Sequence, residues 1–161
     1  MMGGSMKLLF KQRLFSWFDS YDIYDENGNT VYVVKGKLAW GHLLKIYDSQ
    51  DREVGTVRER ILTFLPKFEI YEKDTYLGSI NRELTLFRPR YNIEFKGWQV
   101  SGDFMQWDYT ITDAYGKTVA VVAKELFHLT DTYSIDVMDP KDALYALMFV
   151  LAVDAEKCSR N

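Results

Sequence analysis

Seven cations fall between positions 58 and 90: Arg58, Arg60, Lys67, Lys73, Arg82, Arg88 and Arg90. Guanidinium groups grip phosphate or carboxylate oxygens through paired N–H donors, so a cluster of this kind suggests an anion site. Five acids, Glu59, Glu69, Glu72, Asp74 and Glu83, interrupt the run, leaving seven minus five, an excess of two positive charges, in a chain of formal net charge −3. Arg58 and Arg60 are two apart, so a regular strand carries both on one face. Arg88 and Arg90 flank Pro89, which marks a strand end or a loop. If neighbouring strands bring such pairs together, Arg58, Arg60, Lys67, Arg82, Arg88 and Arg90 form a binding site for an anionic head group. The competing explanation is a solvated strand face, which is normally charged.

Other chemistries find less support. His42 and His128 are the only histidines, and neither has a second His or Cys at metal-ligand spacing. Either could act as a base, but Ser16, Ser79 and Ser101 lack a G-x-S-x-G context, and no catalytic residue is assigned. No glycine-rich phosphate loop occurs, so no nucleotide or other cofactor is expected. Asp25, Asp48, Glu72 and Asp113 sit where turns are expected, and turn chemistry accounts for them. Trp17, Phe18, Trp40, Trp98 and Trp107 also lie near turn-like sequence. They either present an aromatic surface to a membrane or ligand, or plug the ends of a barrel.

The elements that must position these groups read as strands. Aromatic residues make up 16% of the chain, including 11 Tyr and 10 Phe, which favours β-structure. A strand–turn–strand unit recurs. Tyr21-Asp22-Ile23-Tyr24 precedes Asn27-Gly28 and Thr30-Val31-Tyr32-Val33. Leu44-Lys45-Ile46-Tyr47-Asp48 precedes Val54-Gly55-Thr56-Val57, and Phe68-Glu69-Ile70-Tyr71 precedes Leu77-Gly78-Ser79-Ile80. Tyr109-Thr110-Ile111-Thr112-Asp113 precedes Gly116 and Thr118-Val119-Ala120-Val121. Period-two alternation places Tyr21 with Ile23, and Tyr109 with Ile111, on one face. These rules give about twelve strands between Lys7 and Met138.

The period then changes. Asp139-Pro140 is a helix start, with Asp as cap and Pro at the first position. Residues 143–153 are apolar on every side and, at eleven residues, fall short of the roughly 20 that a membrane-spanning helix needs. The chain is therefore expected to be mainly β, an antiparallel barrel of roughly twelve strands closed around a central helix at about 140–154. Residues 1–5 read as an expression remnant, 6–154 as one domain, and 155–161, with Asp154 leading in, as an emerging polar tail. Net charge disfavours nucleic acid as a partner. The single cysteine, Cys158, excludes an internal disulfide and suits a cytoplasmic setting.

The stretch Gly102-Asp103-Phe104, Tyr109-Thr110-Ile111-Thr112-Asp113 and Gly116-Lys117-Thr118-Val119-Ala120, continuing through Lys124 and Asp131-Thr132-Tyr133-Ser134-Ile135 into Asp142 and the apolar helix, resembles the LURP-one-related family. That family groups with the tubby C-terminal-like domains. The resemblance runs from Met6 to about Asp154 and is strongest to small bacterial single-domain members. It implies a twelve-stranded barrel around a C-terminal helix. Relatives in the superfamily include phosphoinositide-binding tubby proteins and phospholipid scramblases. No activity follows for the small bacterial members. The chain lacks the cysteine cluster, Pro-rich region and acidic calcium loop of the scramblases, and no stretch matches the tubby lipid site. The expected function is that of a non-catalytic binding module, either for phospholipid or phosphoinositide-like head groups at the inner membrane face or as a protein-interaction adaptor, with an enzyme of unrecognised site as the remaining alternative.

Overall fold

A computed structural model describes residues 4–11, 20–39, 41–61, 67–83, 86, 90–103, 106–125 and 132–158. The strands in chain order are β1 (Met6–Lys11), β2 (Ser20–Tyr24), β3 (Thr30–Ala39), β4 (Gly41–Asp48), β5 (Glu53–Arg60) and β6 (Lys67–Glu72), followed by β7 (Thr75–Glu83), β8 (Arg90–Phe95), β9 (Gln99–Asp103), β10 (Asp108–Thr112), β11 (Thr118–Glu125) and β12 (Thr132–Val137). A 3₁₀ turn, Pro140–Asp142, leads into the helix α1 (Ala143–Cys158). The strands form one twelve-stranded antiparallel sheet in the order β8-β7-β6-β5-β4-β3-β2-β1-β12-β11-β10-β9. The sheet curls into a nearly closed barrel because β1 pairs with β12 along its whole length, from Met6 opposite Val137 to Lys11 opposite Thr132.

Three of the four recurring units are built as the same hairpin, and the fourth, between β6 and β7, is a shorter turn with Lys73 at positive φ (51°). Asp25 Oδ1 accepts from the N–H groups of Asn27 and Asn29, Asp48 Oδ1 from Gln50 and Arg52, and Asp113 Oδ1 from Tyr115 and Lys117, all at 2.9 to 3.0 Å. The fourth residue of each turn has positive φ: Gly28 at 83°, Asp51 at 62° and Gly116 at 81°. Gly and Asp are the residue types that take this conformation at least cost. The three hairpins share one end of the barrel.

The helix starts as the sequence requires. Asp139 is extended, its side chain accepts from the Lys141 N–H, and Pro140 follows at the first position. Ala146, Leu147, Phe149, Val150, Leu151 and Val153 are all buried against Leu8, Ile23, Leu44, Ile70, Ile80, Ile111 and Ile135 from the wall. Gly55 lets the wall approach closely, since a Cβ there would lie 2.6 Å from Met148 Sδ. The expected polar tail is corrected here. The helix runs on to Cys158, and Asp154 and Glu156 are enclosed, at 5% and 0% exposure. The wall still surrounds the helix at that level: Tyr109 of β10 is buried, and burial first, then the Asp154 carboxylate, raise its phenol pKa.

Candidate functional site

The cations of the 58–90 segment are placed by strand register. In β5, Val57 packs inward while Arg58 and Arg60 are exposed. Arg58 lies opposite Glu69, and Arg60 directly opposite Lys67. Arg58, Arg60 and Lys67 therefore share the outer face of β5 and β6, at the barrel end away from the three hairpins. One acid sits among them. Glu69 Oε1 lies 3.4 Å from Arg60 Nε and accepts from the Tyr71 hydroxyl at 3.2 Å. The Arg58 guanidinium stands 6.0 Å from the Tyr71 ring centre. Burial, and then the Glu69 carboxylate, raise the Tyr71 phenol above its ordinary pKa.

The other members separate from this group. Arg82 is the direct partner of Tyr91 and alternates with Asn81 and Glu83, so it belongs to the inward set with Ile80 and Ile93. Arg90 faces outward opposite Glu83, two strands away from Lys67. Arg88 lies outside the described residues. The row from Arg60 through Lys67 continues as Asn81 and Asn92, whose side chains are 3.4 Å apart.

The remaining candidates have structural partners. His42 Nδ1 lies 3.4 Å from Glu59 Oε2, which also accepts from the His42 backbone N–H at 3.1 Å. His128, Trp17, Phe18 and Trp40 lie outside the described residues. Trp98 is 4% exposed and packs on Phe95 and Phe149, while Trp107 meets Tyr133 at a tilt and Phe10 edge-on. These two tryptophans fill the barrel and do not form an exposed aromatic surface. Asp25 and Asp48 are committed to their turns, and hydrogen bonds from the backbone hold both carboxyls below the ordinary Asp pKa. Among the described residues no group of three His, Cys, Asp or Glu is arranged to hold a metal. No described helix is long and apolar enough to cross a membrane.

The twelve-stranded ladder ends on β8 and β9, which are nonetheless consecutive in the chain. They are joined by a tight turn in which Lys96 (φ 54°) and Gly97 (φ 69°) are both left-handed and the Trp98 N–H donates to the Phe95 carbonyl at 2.9 Å. Such a turn normally starts a paired hairpin. Here Trp98 swings into the core instead, and the strands part. The resulting wedge is a cleft of about 480 Å³ lined by Glu83, Arg90, Tyr91, Ile93, Trp98, Gln99 and Val100. Lys96-Gly97 signals the turn in the sequence, but nothing local signals that the strands part.

Comparison with known proteins places this architecture. The chain is 24% identical over 151 residues to the uncharacterized protein YxjI of Bacillus subtilis (strain 168), covering 92% of each chain. Its fold superposes on an X-ray structure of a protein from Arabidopsis thaliana with a TM-score of 0.69 at 15% identity, covering 94% of this chain and 91% of that one. Residues 6–154 match the LURP-one-related family profile, and the chain belongs to that family.

Proposed function

We propose that this chain is a non-catalytic binding module that docks peripherally on anionic head groups of a membrane surface, on the cytoplasmic side, through Arg58, Arg60 and Lys67. The observation that carries this reading is the direct cross-strand opposition of Arg60 and Lys67, with Arg58 two residues along on the same face. Like charges placed opposite each other weaken a sheet. Glu69 offsets one of the three cations, and a multivalent anion would offset the rest. Two apolar side chains support the same end as the docking edge: Ile61, 46% exposed just beyond β5, and Leu86, 92% exposed between β7 and β8. Aliphatic tips beside cations suit an interface of head groups over hydrocarbon. The opposite end carries Asp25, Glu26, Asp48, Asp51 and Asp74 in its turns and would face away from the membrane.

The exposure of Leu86 also favours a second reading, a protein-interaction adaptor. Sedimentation with vesicles of rising phosphatidylserine or phosphoinositide content, at low and physiological salt, separates the two. On the lipid reading, binding rises with anionic lipid, falls with salt, and is lost in Arg58→Gln/Arg60→Gln. Absence of binding at low salt refutes it.

A further inference from the structure

We infer that the wedge between β8 and β9 is a binding site for a single-chain amphiphile, with the hydrocarbon tail lying along the wedge and an anionic head group at the wide end beside Arg90. The walls carry the argument. Ile93 and Tyr91 alternate with Asn92 and continue the inward row of Phe95, and Val100 is the direct partner of the fully buried Ile111. These are core positions by register. Phe95, beside the turn, is fully covered, whereas Ile93, Tyr91 and Val100 are only half covered because β8 and β9 do not pair beside them. Trp98 closes the narrow end. The cleft thus has an apolar inner wall of Tyr91, Ile93, Trp98 and Val100 under a polar rim of Glu83, Arg90 and Gln99, and its volume lies within the ~300–1,000 Å³ of small-molecule sites.

The taper selects the occupant. A peptide strand bridging the gap would need both edges about 4.8 Å away along its whole length. The tight turn from Phe95 to Trp98 holds the two edges together at one end and prevents that. A single hydrocarbon chain has no backbone to pair and narrows with the slot. Charge at the wide end selects the head group. Arg90 lies on the rim, while Arg82 is the cross-strand partner of Tyr91 on the inward face. Glu83 faces Arg90 on the rim, while Asp103 at the end of β9 accepts from the Gln106 N–H. An anionic head therefore seats against Arg90 and is disfavoured by Glu83. This site is separate from the outer face of β5 and β6, so either can fail without the other.

The probe is a fatty acid brominated along its chain, added to the full chain below its micelle concentration, with tryptophan fluorescence as the readout. Bromine in the wedge would touch Trp98. Saturable quenching is expected, and Trp98→Phe should remove it while calorimetry still records binding. Val100→Trp, which fills the slot, should weaken binding about tenfold or more. Arg90→Gln should weaken it roughly two- to fivefold and Glu83→Gln should tighten it by a similar factor. Arg58→Gln/Arg60→Gln should leave it unchanged. If Val100→Trp does not fold, the two rim variants carry the test. No saturable quenching, or quenching that survives Trp98→Phe and is indifferent to Arg90→Gln and Glu83→Gln, overturns the assignment.

Discussion

The Tyr145 hydroxyl, in the first turn of α1, lies 3.1 Å from both carboxylate oxygens of Glu72 at the end of β6. The Lys96 ammonium sits 4.1 Å over the Tyr145 ring. The helix is thus tied to the wall at the point where it enters the barrel. Tyr145→Phe should cost about 1 kcal/mol, since the lost bond is charge-assisted but partly solvated. A thermal melt would show a fall of a few degrees. Burial, and then the Glu72 contact, raise the Tyr145 phenol pKa. A raised folded-state value means the contribution is complete below the unfolded pKa of about 10. The gap between the two proteins should therefore be constant at neutral pH and shrink only in alkali.

Leu147 tests the central helix. It is fully buried on a helix enclosed on every side. Leu147→Asp would bury an unpaired carboxylate, at a cost of several kcal/mol, comparable to the whole stability of a domain. The expected result is insoluble or unfolded protein. A soluble variant with an unchanged circular dichroism spectrum contradicts the architecture.

Acid should loosen the hairpin end first. Asp25 and Asp48 have depressed folded-state pKa values because backbone N–H groups donate to them. A depressed value contributes stability above the unfolded pKa of about 3.9, lost as pH falls through the folded value. Asp25→Asn and Asp48→Asn should therefore flatten the decline in melting temperature below about pH 4 relative to the parent protein. An unaltered acid limb in both variants would contradict this account of the turns.

Lys67→Glu should separate stability from binding. It turns the Arg60–Lys67 opposition into an attractive cross-strand pair, which should stabilise the sheet by about 0.2–1 kcal/mol. The same change reverses one of the three outer-face charges, so vesicle retention should fall sharply. A variant that melts higher and no longer sediments with anionic vesicles is the expected outcome. Undiminished retention argues against the outer face as the docking site.

Local chemistry was readable from the sequence, while distance-dependent features were not. Asp25, Asp48 and Asp113 announce their hairpins because the bonds involved span only two to four residues. Asp139-Pro140 and the apolar run after it announce the helix for the same reason. The burial of Asp154 and Glu156 depends on how far the wall extends beside them, which no adjacent residue encodes. Arg82 looked like a member of one basic patch because position in the chain says nothing about which side of a sheet it reaches. Strand alternation assigns it to the inner set once the register with Tyr91 is known. The wedge is not legible in the sequence because Phe95-Lys96-Gly97-Trp98 has the residues of a paired hairpin, and the packing of Trp98 on Phe149 joins residues distant in the chain.

The position of α1 after the last strand sets the order of events during synthesis. β1 waits for β12, which is made more than a hundred residues later, and every strand waits for the helix that fills the interior. At about 5–20 residues per second, the nascent chain holds Leu8, Ile23 and Ile46 without their eventual neighbours for several seconds or longer. Pairings this distant along the chain make folding slow. The barrel therefore completes in one late collapse around α1, and a ribosome stalled before residue 143 carries an unfilled sheet that depends on chaperones to stay soluble.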